Sequence, residues 1–155
     1  MKQEPYFRGK RRDTGEWVYG FYTTHLDFKY GDPFTPIIQS KESYKKAVEI
    51  YEIYWNTRGQ FIGKNDKNGV KIFEDDFVVQ HDLTFGTSHT YIVAFERDTA
   101  SFCLTKDMKK TIPFVDEEKY NDGQWSTMVK YEYEVIGNTH DDPDLWMKIL
   151  EEETK

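Results

Sequence analysis

Leucine and alanine are scarce in this chain, with five Leu and three Ala in 155 residues. Aromatic residues must carry the core in their place. Cys103 is the only cysteine, so an internal disulfide is excluded. No run of 18 apolar residues exists, which argues against a membrane-spanning helix. The opening Met1-Lys2-Gln3-Glu4-Pro5 lacks the apolar stretch of a secretory leader. These absences together predict a cytoplasmic protein with no membrane partner.

What the chain has in plenty is aromatic and charged residues, 17% and 32% of the sequence. The aromatic share argues against disorder and assigns the core to rings and β-branched residues. The net charge of −7 is unevenly spread. Residues 1–31 carry six basic and four acidic groups, and residues 116–155 carry four basic and twelve acidic ones. That balance opposes tight nonspecific DNA binding, which needs several cations on one face.

Turn signals divide the chain into short strands. Phe7–Arg11 and Trp17–Thr24 flank Asp13-Thr14-Gly15-Glu16 as a hairpin. Gly31-Asp32-Pro33 and Pro36 mark a loop, Ile37–Gln39 a short strand, and Val48–Trp55 a longer one. Lys41–Ala47 is compatible with a helical turn. Asp66-Lys67-Asn68-Gly69 is a tight-turn tetrapeptide, since Asn and Gly tolerate positive φ. Ile72 and Phe73 then enter the core, Glu74-Asp75-Asp76 turns the chain again, and Phe77-Val78-Val79 begins a buried strand. His81–Leu83, Thr90–Phe95 and Ser101–Leu104 read as a meander turning near Gly86 and Asp98. Thr111–Gln124 reads as a polar elaboration, and Trp125–Ile136 as a long strand. The chain closes with a helix: Asp142 at the N-cap, Pro143 at N1, and Leu145, Trp146, Ile149 and Leu150 as its apolar stripe.

Four ordered motifs give this pattern a family. They are Phe7-Arg8-Gly9-Lys10; Trp17-Val18-Tyr19-Gly20; Gln60-Phe61 followed by Asp66-Lys67-Asn68-Gly69, Ile72-Phe73 and Glu74-Asp75-Asp76; and Glu134-Val135-Ile136-Gly137-Asn138 with Asp142-Pro143-Asp144-Leu145. The chain resembles the YopX family of phages, prophages and gut bacteria. One departure is Asp75, where the family pattern has Gly. The resemblance implies a mainly β fold: an N-terminal β-hairpin lobe over residues 1–58, a small SH3-like barrel over 59–140 and one C-terminal helix over 141–152. It implies structural roles for Gly9, Trp17, Gly20, Asp66, Asn68, Gly69, Ile72, Asp76, Gly137 and Asn138. It implies no established activity.

Candidate chemistry is sparse. The separation of His81-Asp82 from His89 fits no zinc-site spacing. Cys103, between Phe102 and Leu104, reads as a small buried hydrophobe rather than a nucleophile. Glu74, Asp75 and Asp76 lack the alternating ligands of a calcium loop. Neither a metal nor another cofactor is expected, and no catalytic constellation emerges. Arg8, Lys10, Arg11 and Arg12, with Trp17 nearby, are the candidate nucleic-acid contacts, as cations beside stacking rings. The bland alternative is a charged hairpin edge that resists aggregation. The sequence therefore points to a non-catalytic accessory protein, a homo-oligomer or the binder of another protein. The alternative is a nucleic-acid-binding small barrel using the basic hairpin.

Overall fold

The computed structural model describes residues 6–26, 34–40 and 49–153. Expectations for residues 31–33 and 41–47 lie outside the described residues. The chain forms two compact units, Met1–Gly63 and Lys64–Lys155. Ten basic and eight acidic residues fall in the first, eleven basic and twenty acidic in the second.

The first unit is an antiparallel sheet of β1 (Phe7–Lys10), β2 (Trp17–Leu26), β3 (Phe34–Ser40) and β4 (Ile50–Glu52), with β5 (Gly59–Asn65) against β1. The expected hairpin is β1–β2, with Phe7 opposite Gly20 and Lys10 opposite Trp17. Gly20 is required because a Cβ there would lie 2.0 Å from the Gln39 carbonyl oxygen on β3. A Cβ on Gly9 would lie 2.5 Å from Cδ1 of Ile53, which is fully buried. A bridge between Arg11 and Ile53, just past the ends of β1 and β4, joins β4 back to β1. Pro36, expected in a loop, lies inside β3 opposite Thr24. Its carbonyl still accepts the Ile53 N–H at 3.0 Å, so the strand keeps an acceptor where it lacks a donor. The strand expected over Val48–Trp55 is shorter, because Trp55–Thr57 winds into a single 3-10 turn.

The second unit holds β6 (Lys71–Phe73), β7 (Asp76–Asp82), β8 (Ser88–Glu96), β9 (Ser101–Thr105), β10 (Thr111–Pro113), β11 (Glu117–Asn121), β12 (Ser126–Asn138) and α1 (Pro143–Glu153). One sheet runs in the order β10-β9-β8-β7-β12-β11. Its two outermost strands, β10 and β11, are joined only by Phe114, Val115 and Asp116. Laid flat, five strand spacings would separate them by about 24 Å. The connection spans at most about 14 Å. The sheet must therefore curl, and it forms a half-barrel. Val78, Val93, Leu104 and Val129 lie on one face of the sheet and Phe77 and Ile92 on the other, each 2% exposed or less. On α1, Leu145, Trp146 and Ile149 pack against Phe77 and Ile92, as the apolar stripe requires. Burying a side chain of this size stabilises by about 1.5–3 kcal/mol. The fold is the mainly β one expected, with α1 the single helix of more than one turn among the described residues.

The central motif residues join the hairpin between β5 and β6 to β12. Gly69 takes φ 80, and its N–H donates to the Asp66 carbonyl at 3.0 Å. The Asp66 carboxylate accepts from Asn68 N–H at 2.8 Å, Val70 N–H at 2.9 Å and Val135 N–H at 3.0 Å. Burial by itself would raise the Asp66 pKa; the three amides together outweigh it and hold the carboxyl below its usual range. Ile72 is fully buried, and the buried Asp76 carboxylate accepts from Phe73 N–H at 2.8 Å. Beyond the register shift between Val135 and Gly137, the Asn138 side-chain carbonyl accepts from the amides of His140 and Asp141, both at 3.0 Å. A Cβ on Gly137 would sit 2.4 Å from an Asp142 carboxylate oxygen.

Candidate functional site

The basic hairpin folds its cations onto its own rings. Arg8 is only 7% exposed. Its guanidinium lies 4.7 Å from the Trp17 ring centroid, and the Lys10 ammonium lies 5.3 Å from the same ring. Arg11 sits 4.5 Å over Tyr51 and forms a two-point ion pair with Asp13, with nitrogen–oxygen distances of 2.9 and 2.6 Å. Arg12 sits 5.4 Å over Tyr54, and its Nε donates to the Ile53 carbonyl at 3.3 Å. The structure thus brings Arg8 and Lys10 together on Trp17, places Arg11 and Arg12 on other rings, and gives each a partner inside the unit.

The histidines do not converge. His81 lies between Ser88 Oγ at 2.9 Å and Glu134 Oε2 at 3.1 Å, with Lys67 paired to the same carboxylate. His89 packs its ring on Tyr91 at 6.4 Å. Cys103 is a buried free thiol whose pKa is raised by burial, with Glu96 adding to the effect. Among the described residues, no group of three or more His, Cys, Asp and Glu side chains is placed to share a metal ion.

One surface was not legible in the sequence. At one end of the half-barrel, the β7–β8 turn and the β11–β12 hairpin each present an aromatic ring on the same kind of turn. The Asp82 carboxylate accepts from the amides of Thr84 and Phe85, both at 2.8 Å. The Asp122 carboxylate accepts from Gln124 N–H at 2.9 Å and Trp125 N–H at 2.7 Å. In both cases the ring stands three residues after the capping Asp. The amides of Trp125 and Gln124 hold the Asp122 carboxyl below its usual range. Thr84 ties its turn to β12, accepting from Lys130 N–H at 3.1 Å and lying 3.5 Å from the Met128 carbonyl. Phe85 meets Tyr120 edge to face, with centroids 6.0 Å apart. Phe85 is 57% exposed, Tyr120 52% and Trp125 73%. Leu83 and Met128 are exposed nearby in the chain. Rings fixed by hydrogen-bonded turns and left in water are costly for solubility and suited to recognition.

The sequence matches the family model described as YopX protein over residues 6–147. The chain belongs to the YopX family. No curated protein matches it significantly. Among solved structures, this YopX chain is similar to protein EF1440 from Enterococcus faecalis, with TM-score 0.51 and 23% identity, over 94% of this chain and 99% of that one. That likeness shows the shared fold.

The departure of this YopX chain from its family pattern has a local structural account. Asp75, where the pattern has Gly, takes φ 69. Its N–H donates to the Val93 carbonyl at 2.9 Å and its carbonyl accepts from Thr139 N–H at 3.0 Å. The carboxylate gains a partner that Gly lacks, His140 Nε2 at 3.2 Å. Asp is among the few residues with a side chain that enter this region readily.

Proposed function

We propose that this protein is a non-catalytic accessory factor of phage or prophage origin that works by binding protein, either itself or another chain. The observation that carries this reading is the aromatic end of the half-barrel, where Phe85, Tyr120 and Trp125 stand exposed on turns fixed by Asp82 and Asp122. Exposed Trp and Tyr on a rigid frame are the anchors that protein interfaces use most. The phage or prophage origin is what the resemblance to the family implies. The test is size-exclusion chromatography with light scattering over a range of concentrations, together with capture from host or phage-infected lysate. A multimer, or a retained protein whose binding is lost in Trp125→Ala, supports the reading. A strict monomer that retains nothing overturns it.

A second reading is single-stranded nucleic-acid binding by the first unit. The observation favouring it is Arg12 stacked on Tyr54 beside Trp55, which is 71% exposed. Cations beside open rings are a platform for bases. Substituting Arg8, Arg11 and Arg12 by Glu would abolish oligonucleotide affinity and its salt dependence on this reading. Unchanged affinity rejects it.

A further inference from the structure

Strand β11 carries a backbone pattern that defines its open side. Tyr131 N–H donates to the Asp116 carbonyl at 2.8 Å, and Asp122 N–H donates to the Trp125 carbonyl at 3.3 Å. With Glu117 opposite Lys130 and Asn121 opposite Ser126, these bonds assign Asp116, Glu118, Tyr120 and Asp122 to the β12 ladder. The intervening residues of an antiparallel ladder turn their N–H and C=O the other way. Glu117, Lys119 and Asn121 therefore direct theirs away from β12, on the last strand of the sheet order. Such a row is a template for one more strand.

Charge decides which strand fits. Residues 116–122 read DEEKYND, four acidic groups and one basic. A second copy pairing this edge antiparallel to itself sets like charges opposite one another. Centred on Lys119 it opposes Lys to Lys, and Asp116 to Asp122; centred on Tyr120, Glu118 to Asp122; centred on Glu118, it opposes Glu118 to Glu118 but also sets Glu117 against Lys119 twice, so this register is the least opposed of the three. Like charges directly opposite destabilise a strand pair. A basic strand meets the reverse condition. The aromatic end adds to it, because cross-strand partners project to one face. Tyr120 shares its face with Thr127, and Trp125, two positions from Thr127, lies on that face as well. Phe85 packs on Tyr120 there. Exposed rings of this kind hold Arg and Lys by cation–π contact and cover their aliphatic stems.

We infer that the open edge of β11 and the rings of Phe85, Tyr120 and Trp125 form one docking surface for an extended, lysine- and arginine-rich segment of another protein, bound as an added strand. This inference rests on the protein-binding reading and names the class of partner.

The test uses the full chain and a fluorescent alternating Arg–Val peptide, read by anisotropy. An alternating Glu–Val peptide and an alternating Arg–Pro peptide, charged alike but lacking proline amides, are the comparators. The Arg–Val peptide should bind, the Glu–Val peptide should not, and the Arg–Pro peptide should bind roughly tenfold more weakly. Lys119→Pro removes an outward amide and leaves the bonds to β12 in place; Trp125→Ala removes a ring. Each should weaken Arg–Val binding roughly tenfold. Equal binding of the Arg–Val and Arg–Pro peptides, with both variants like wild type, would overturn the inference and leave only polyelectrolyte attraction. So would a dimer dissolved by Lys119→Pro in a chain that ignores the peptides, because a second copy would then own the edge. In that last case the broader protein-binding reading stands while the basic-strand inference falls. Should Lys119→Pro fail to fold, Trp125→Ala and the peptide comparison decide alone.

Discussion

Phe85 and Tyr120 meet edge to face at 6.0 Å, one from the β7–β8 turn and the other from the edge strand β11. Their contact leaves both rings more than half exposed. It joins the Asp82 turn to the strand that leads into the Asp122 turn, and so defines an end of the half-barrel that is aromatic and open to water.

Removing a ring from this end should cost recognition and spare the fold. Trp125→Ala should leave the unfolding free energy from urea denaturation within about 0.5 kcal/mol of wild type, as exposed substitutions usually do. Phe85→Ala should do the same. A large loss of stability in either would mean that the rings belong to the core.

Asp66 should be the most costly acidic residue to replace. Asp66→Ala leaves the amides of Asn68, Val70 and Val135 without their acceptor. The expected loss is about 3 kcal/mol, read from urea denaturation. A loss below about 0.5 kcal/mol would show that water replaces the carboxylate freely.

The pH dependence follows from the same group. Asp66, Asp107 and Asp122 all have carboxyls held below their usual range. An unfolded chain then binds more protons than the folded one as pH drops through about 4. The stability these groups supply is complete above that value and is lost as pH falls through their folded pKa values. The thermal midpoint should be level at neutral pH and decline below about pH 4. Asp66→Asn should flatten that decline, and an unchanged slope would assign it to other carboxylates.

Asp75 separates backbone strain from side-chain pairing. Asp75→Gly keeps the positive φ at no steric cost and loses only the His140 contact. Asp75→Ala loses the contact and still bears the strain. The Ala variant should be about 1 kcal/mol less stable than the Gly variant. Equal stabilities would show that φ at this position relaxes.

Gly20→Ala should disrupt the first unit, since its Cβ would fall 2.0 Å from a backbone oxygen of Gln39 that has no flexible side chain to yield. The expected cost is about 2 kcal/mol or more by circular dichroism melting.

The features legible in the sequence were those written locally. The Asp66–Gly69 turn, buried Ile72 and Phe73, the long strand expected over Trp125–Ile136 and found at Ser126–Asn138, and the stripe on α1 each follow from residues close together in the chain. Asp142 was legible as a boundary but not in its bond: its carboxylate turns back to the Asn138 N–H at 3.2 Å. The aromatic end was not legible. Phe85 and Trp125 sit in turns whose sequences look merely polar, and Thr111–Gln124, read as an elaboration, supplies the edge strands β10 and β11. Only sheet order brings Phe85 beside Tyr120. The basic cluster was legible as a cluster but not in its use, because Arg8 and Lys10 share Trp17 only once β1 and β2 pair.

Residue-resolved amide hydrogen exchange on the full chain, with and without the Arg–Val peptide, tests the account most directly. The account predicts new protection at the outward amides of Glu117, Lys119 and Asn121, and little change at Glu118 and Tyr120, whose amides already face β12. Protection confined to Arg8–Arg12, or none on β11 with peptide bound, would contradict it.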